Sequence, residues 1–298
     1  MRFIDAAGVA ALGPAAAVRA IVGALRDGLD PAADPARASV DLTDGQFLLM
    51  PSETAAAAGV KVVTIAPDNP NRGLPRVQGT YLLFDRDTLA LRAIFDGTAL
   101  TALRTPAVSV AAILGRLPNR ALRVAVVGAG PQAVGHVSTL AAARPIDDAT
   151  YVVRDPSRAP LRAVALGSQQ GNEALHSADV VVCATSARSP VFDSALLRDD
   201  AVVVAVGSHE PDARELDAPL LGRAAVVVED VSTALREAGD VILAVADGAL
   251  EPASLLTMRD VVTGAVTVPT DRPLVFKSVG MSWQDLVVAT AVLQQNEG

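Results

Sequence analysis

The sequence predicts an α/β protein, in which a Rossmann-type doubly wound parallel sheet follows an N-terminal α+β region. Three observations carry this reading. From Arg123 onward, short β-branched runs alternate with Ala/Leu-rich helical stretches, the pattern of a parallel sheet with crossover helices. The first run leads into Gly128-Ala-Gly130-Pro-Gln-Ala133 and then a helical stretch. Before about residue 108 the texture differs, with strand-like runs separated by Asn/Asp/Pro/Gly turns.

In chain order, a helix is expected from about Ala15 to Gly28, because Val18, Ile21, Val22 and Leu25 recur at helical spacing. A Pro/Ala/Asp-rich connection over 29–36 leads to strands expected at Phe47–Met50, Val60–Ile65 and Gly79–Phe84. Pro67-Asp-Asn-Pro70 and Asn71-Arg-Gly73 supply the turn between the last two. A second helix is expected from about Thr98 through Leu117, kinked or broken at Pro106, which lacks the backbone donor. The parallel strands are expected at Val124–Val127, Tyr151–Val153, Val180–Ala184, Ala201–Val206 and Ala225–Val228.

Composition narrows the function. A chain of 298 residues, 51% hydrophobic and 19% charged, buries a large core. Six Phe, two Tyr and one Trp with a net charge of −8 supply neither stacking residues nor a basic surface, so no nucleic acid and no membrane is expected as partner. The lone Cys183 has no thiol neighbour for a disulfide or metal site, which fits a reducing compartment and a cytoplasmic location. The apolar stretch Ala6–Val18 does not read as a signal peptide. Asp5 stands where a cationic region belongs, Pro14 splits the stretch, and Arg19 and Arg26 continue a helical pattern. Of the 25 basic residues 23 are arginine, so the two lysines, Lys61 and Lys277, stand out.

The strand leading to Gly128-x-Gly130-x-x-Ala133 carries the clearest chemistry. Gly128 permits the tight turn, Gly130 lets a phosphate approach the backbone, and Ala133 packs the helix on the strand. With Pro131 and Gln132 opening the helix, backbone N–H groups face a pyrophosphate, as in dinucleotide sites. The next strand ends Arg154-Asp155-Pro-Ser157-Arg158. Asp155 there suits the ribose hydroxyls of NAD(H), whereas Arg154, Ser157 and Arg158 suit a 2′-phosphate. The balance favours NADP(H), with NAD(H) as the alternative.

At this point the chain resembles the ornithine cyclodeaminase/mu-crystallin family over nearly its whole length. The resemblance rests on Gly59-Val-Lys61-Val-Val, Asp96-Gly-Thr-Ala-Leu-Thr-Ala-Leu-Arg104-Thr105, Val127-Gly-Ala-Gly-Pro-Gln-Ala133, Ala184-Thr-Ser186, Arg214-Glu-Leu-Asp217 and Phe276-Lys-Ser278-Val-Gly280-Met-Ser-Trp-Gln-Asp285-Leu. It implies that Arg104 and Arg37 bind a substrate carboxylate, a task suited to a planar guanidinium. It implies that Lys61 is the active-site lysine. Among Val60, Val62 and Val63 its ammonium is desolvated, which brings its pKa towards the working range for donating a proton to a C=N nitrogen. It further implies that Gln78 lies beside the substrate and that Thr105, Thr185, Ser186, Ser278, Val279 and Gly280 lie towards the cofactor.

The resemblance also implies a division into a substrate-binding and dimerisation domain, residues 1–108 with 281–298 returning, and a Rossmann domain, residues 109–280, in a homodimer. Against that family, Asp155–Asp179 is short for a crossover and suggests a trimmed helix or a missing strand. The informative departure is Gly207-Ser-His209-Glu-Pro-Asp-Ala213. Cyclodeaminases of the family resemble Gly-Gly-Asp-x-Pro-Gly-Lys at this place, and ring closure with loss of ammonia needs that carboxylate as acid and base. His209 stands where the aspartate belongs, in position to donate a proton or select the substrate.

The expected activity is therefore NAD(P)H-dependent reduction of a small cyclic ketimine carboxylate, Δ1-pyrroline-2-carboxylate to L-proline or Δ1-piperideine-2-carboxylate to pipecolate. The alternatives are an ornithine cyclodeaminase, an alanine-dehydrogenase or opine-like enzyme, and a non-catalytic NADP-dependent binding protein. The partner common to these readings is a small imino or amino acid.

Overall fold

The structure is a computed structural model that describes residues 1–159 and 162–297. The chain forms two compact units, Met1–Val108 with Gly280–Gly298, and Ser109–Val279.

The first unit begins with β1 (Arg2–Ile4), α1 (Ala6–Ala10), α2 (Pro14–Arg26), β2 (Ala38–Leu42), β3 (Gly45–Glu53), β4 (Ala57–Ile65), β5 (Val77–Asp85), β6 (Leu91–Asp96) and α3 (Gly97–Ile113). Among the described residues its sheet has six strands in the order β1-β6-β5-β4-β3-β2, parallel only between β1 and β6. The three strands expected from sequence fall within β3, β4 and β5. Strands β1, β2 and β6 and helix α1 were not foreseen. A three-residue strand such as β1 has no periodicity to detect, and β2 is a five-residue edge strand whose residues are all exposed.

The register aligns Met50, Lys61, Tyr81 and Phe95 in one row across β3, β4, β5 and β6. Because side chains alternate along a strand, all four point to one face. The C-terminal helix, Ser282–Glu297, packs against β3, β4 and β5. Its Trp283, Leu286, Val288, Ala289 and Val292 are buried. Pro106 lies inside α3 without ending it. Ala107, Val108 and Val110 around it are fully buried, and that packing outweighs one lost backbone hydrogen bond. The span Gly97–Arg116 is long and apolar enough to cross a membrane by length and composition, but it is mostly buried, as a core helix is.

The second unit contains β7 (Leu122–Val127), α4 (Pro131–Ala143), β8 (Ile146–Val153), β9 (Ala163–Ala165), α5 (Gln169–Ser177), β10 (Val180–Cys183), β11 (Val202–Ala205), α6 (Ala218–Arg223), β12 (Ala225–Val228), α7 (Val231–Glu237), α8 (Gly239–Ala246), β13 (Leu256–Thr257), α9 (Met258–Thr263) and β14 (Leu274–Lys277). Among the described residues these strands form an eight-stranded, wholly parallel sheet in the order β13-β12-β14-β11-β10-β7-β8-β9. Every residue of β10, β11 and β12 is buried, which is why these strands read as unbroken apolar runs, whereas β14, also buried throughout, ends in Lys277 and was not foreseen. The short stretch after Asp155 lacks neither element: β9 and α5 both fit into it, because the strand has only three residues and the helix nine.

The starts of the central strands are held by Asp179, itself 4% exposed, which accepts two hydrogen bonds from Arg120 at 2.8 and 2.7 Å and one from the Arg123 N–H at 3.0 Å. Burial pushes its pKa up, and these bonds more than offset that, leaving it below the usual carboxylate value. A depressed carboxylate stabilises the fold above its unfolded pKa and stops doing so as pH falls through its folded one. Asp179→Asn should therefore cost about 1–3 kcal/mol at neutral pH. In denaturant titrations the gap from wild type should close below pH ~4.

Candidate active site

In the first unit the centre of β4 places Lys61 on the covered face of the sheet, 3% exposed. Its Nζ donates to Asp285 Oδ2 at 2.7 Å and to Thr101 Oγ1 at 3.4 Å. Asp285, in the first turn of the C-terminal helix, is fully buried, and its Oδ1 lies 3.4 Å from Arg104 Nε. The Arg104 guanidinium also donates from Nη1 to Gln284 Oε1 at 2.7 Å. It passes directly over Gly280, where a Cβ would meet Nη1 at 2.9 Å and where φ is +77°. Only glycine accommodates both conditions. Arg37 Nη2 donates to the Gly280 carbonyl at 2.6 Å.

Lys61 and Arg104 thereby meet at one buried carboxylate, and Arg37 lies near enough to act on the Lys61 charge. Burial pulls the Lys61 pKa down to about 8. Asp285 opposes that shift, whereas Arg104 and Arg37 add to it. Asp34 secures the arrangement from the connection before β2. Its Oδ2 accepts the Trp283 N–H at 2.9 Å, tying the segment that carries Arg37 to the helix that carries Gln284 and Asp285. Burial pushes the Asp34 pKa up to about 6, against the lowering effect of hydrogen bonds from Ser52, Trp283 and Ser282.

Asp285, Gln284 and Asp34 were not singled out from sequence. A usable signal existed for Asp285: it lies on the apolar face of a helix whose neighbours Leu286, Val288 and Ala289 are buried, and an acid there needs a partner. Asp34 looked like any loop aspartate. Thr105 is buried in α3 beside Arg104. Gln78 pairs with Thr64 on β4, so its side chain points to the face opposite Lys61 and is exposed.

In the second unit, the glycine turn between β7 and α4 and the loops after β8 and β10 line a cavity of about 1060 Å³. Gly128 has φ +114°, and a Cβ there would meet the Ala184 carbonyl at 2.5 Å, so the loop passes as close to β10 as a glycine permits. Around Gly130 there is open space, and helix α4 starts at Pro131 with no side chain capping its N–H groups. Half-buried Gln132 follows, while Ala133 is fully buried at the helix–sheet contact.

Arg154, Asp155 and Arg158 line the far end of this cavity, and Thr185 and Ser186 its near side. Asp155 Oδ1 already accepts from the Ser157 N–H at 3.0 Å and from Ser157 Oγ at 2.6 Å. The cradle thus fits a dinucleotide, with an uncapped helix N-terminus for phosphate and mixed charge for the adenosine ribose. Ser278 and Val279 are turned to the sheet instead: Ser278 Oγ and the Val279 N–H donate to Glu229 at 2.8 and 2.9 Å. His209 is exposed on the loop after β11.

The profile of the ornithine cyclodeaminase/mu-crystallin family matches residues 13–298. The chain belongs to that family. It is 36% identical over 265 residues, 85% of this chain and 81% of the relative, to the Δ1-pyrroline-2-carboxylate/Δ1-piperideine-2-carboxylate reductase of Azospirillum brasilense. Its fold is similar to that of Thermococcus litoralis Δ1-pyrroline-2-carboxylate reductase in complex with NADH and L-proline, with a TM-score of 0.88 and 26% identity over 100% of this chain and 98% of that one. An archaeal alanine dehydrogenase dimer with bound NAD is similar at a TM-score of 0.84 and 26% identity, over 99% of this chain and 96% of that one.

With only two lysines in the chain, 13C-lysine NMR should show two side-chain signals to assign. Lys61 should titrate near pH 8. In Asp285→Asn its midpoint should fall further, since the opposing carboxylate is gone and the two guanidiniums stay. A wild-type Lys61 midpoint above ~10, the value of a solvated lysine, would show that the cluster does not desolvate it.

Proposed function

We propose that this chain is an NAD(P)H-dependent reductase of a small cyclic ketimine carboxylate, with Δ1-pyrroline-2-carboxylate or Δ1-piperideine-2-carboxylate as substrate. Family membership and likeness to reductases make it an oxidoreductase acting on C=N or CH–NH bonds. The observation that supports the finer reading best is the meeting of Lys61 and Arg104 at Asp285, with Arg37 beside them at the Gly280 carbonyl.

When bound, the reduced nicotinamide supplies the hydride. The chain's own residues do the rest. Arg104 and Arg37 hold the substrate carboxylate, which fixes the adjacent imine carbon in orientation. Lys61, kept charged by Asp285 yet weakened as an ammonium by burial, donates its proton to the imine nitrogen as the carbon is reduced. Asp285 keeps Nζ in place while the resulting amine is reprotonated from solvent. Thus the imine gains one hydride on carbon and one proton on nitrogen, and the cofactor leaves oxidised.

Reduction of a formed imine needs no carboxylate at His209, whereas cyclodeamination of ornithine does. An exposed His209 suits a selector of substrate size or a second proton donor. Arg154, Arg158 and Ser157 favour NADPH, because Asp155 already spends one oxygen on Ser157 and has less to offer a ribose hydroxyl.

The working form is read as a cytoplasmic homodimer. Leu49, Pro51, Val60, Val62, Leu82 and Ile94 form an apolar, half-buried patch on the sheet face opposite Lys61, suited to a second copy of the chain. Val62→Glu should convert a dimer to a monomer in light scattering. A wild type that is itself monomeric would refute the dimer.

The deciding assay follows NADPH and NADH oxidation with each cyclic imine, beside ammonia release from ornithine with NAD+. Imine-dependent oxidation is expected, faster with NADPH, and about 10²–10⁴-fold slower in Lys61→Ala. Since the charged lysine is the acid, the rate should fall as pH rises through about 8. Ammonia release from ornithine without imine reduction would overturn the reading.

A further inference from the structure

The motif Arg214-Glu-Leu-Asp217 takes no part in the chemistry above, yet Glu215 is fully buried beside the ends of the apolar strands β10 and β11. Its carboxylate is filled by three donors. Oε1 accepts the Thr185 N–H at 2.8 Å and Thr185 Oγ1 at 2.7 Å, and Oε2 accepts the Gly207 N–H at 2.7 Å. Thr185 follows β10 and Gly207 follows β11, so these backbone groups lie where the ladder between the two strands has stopped, at Cys183 and Ala205. Buried N–H groups beyond a ladder require another acceptor.

Similar links continue across the neighbouring strands. Asp240 Oδ1 accepts the N–H groups of Glu215 and Leu216 at 2.7 and 2.8 Å, and its Oδ2 pairs with Lys277 Nζ at 2.9 Å. Lys277, the last residue of β14, also donates to the Ser208 carbonyl in the loop after β11. Glu229, just past β12, takes the donors of Ser278 and Val279 just past β14. In sheet order β12-β14-β11-β10, each adjacent pair is therefore joined at its carboxyl end by a buried charged side chain.

We propose that Glu215 is a positioning residue of the dinucleotide site, locking the ends of β10 and β11 together so that the Thr185–Ser186 wall of the cavity is held for the nicotinamide half of the cofactor. Lys277, Asp240 and Glu229 extend that lock across β14 and β12. The proposal rests on the dinucleotide reading of the cavity. Burial raises the Glu215 pKa, and the Lys277 charge and the Thr185 donors oppose that rise. Ordinary stabilisation is a poor reason to bury three acids and a lysine, since well-packed apolar residues serve that purpose as well. Geometry is the better reason, because a charged acceptor fixes donors from two strands at once.

The test is Glu215→Gln in the full chain. Glutamine keeps the shape, but whichever way its amide turns, its NH₂ confronts a backbone donor at Thr185 or Gly207. The Lys277–Asp240 pair stays charge-balanced, so the fold retains it. Fluorescence titration should show NADPH and NADH binding weakened about tenfold or more, as for one lost buried hydrogen bond. Binding of 2′,5′-ADP and ADP, which occupy only the adenosine half, should be unchanged, as should the imine KM. Hydrogen exchange should quicken at the amides of Thr185 and Gly207.

Wild-type affinity for NAD(P)H in the variant, or equal weakening of the cofactor and both adenosine fragments, would overturn the proposal. Should Glu215→Gln fail to fold, Asp240→Asn turns an amide towards Lys277 and loosens the Lys277–Ser208 link. The same selective loss is then expected, and its absence would overturn the proposal. A wild type that binds neither NADPH nor NADH would overturn the cofactor reading and this proposal with it.

Discussion

Burying the Lys61 ammonium on the covered face of a sheet carries a desolvation cost on the order of several kcal/mol, and Asp285 at 2.7 Å is what offsets it. The rest of the first unit is arranged around that pair. The C-terminal helix must lie across β3, β4 and β5 for its first turn to bring the carboxylate to β4. Once there, Asp285 draws in Arg104 by charge, Gln284 beside it accepts a guanidinium N–H, and Gly280 leaves the space through which that guanidinium passes. Asp34 then anchors the start of the helix to the segment carrying Arg37. That ion pair thus decides where Lys61 and Arg104 stand, while Arg37 reaches the same place through the Gly280 carbonyl.

The second unit solves a related problem by similar means. A parallel sheet binds ligands at its carboxyl edge, where the ladder ends and backbone donors lose their partners. An edge made only of valine and alanine strands is rigid up to its last ladder bond and unsupported beyond it. Buried Glu215, Glu229, Asp240 and Lys277 lie just past that boundary and supply the missing acceptors and a matching donor. In both units the buried charge fixes geometry at the place where chemistry needs it, while the apolar core supplies the bulk of the stability.

Much of this was legible in the chain. Strands β7, β8, β10, β11 and β12 were visible because burial on both faces demands β-branched runs, and Gly128-x-Gly130-x-x-Ala133 was visible because a phosphate loop leaves few alternatives to glycine. Lys61 stood out because it interrupts a strand of valines in a chain that otherwise uses arginine. What was not legible has equally specific causes. Pro106 was expected to kink or break the helix through Leu117, but the helix runs on through it to Ile113 among the buried Ala107, Val108 and Val110. Strand β9 was discounted because three residues give no periodicity. Gln78 was placed beside the substrate, but period-two alternation puts it on the face opposite Lys61.

The resemblance to a family implied the cations that a carboxylate substrate would need, while by itself the sequence determined the α/β class, five of the parallel strands and the phosphate-binding turn. These are set by local composition and spacing, which act over a few residues. Only the tertiary structure decided the partners: that Lys61 answers to Asp285, 224 positions away, that Asp34 holds the helix carrying it, and that Glu215 joins two strands to which it does not belong. The reason is physical. A buried charge is tolerable wherever an opposite charge or enough donors meet it, and which groups do so depends on how distant segments pack, a relation that no local pattern along the chain records.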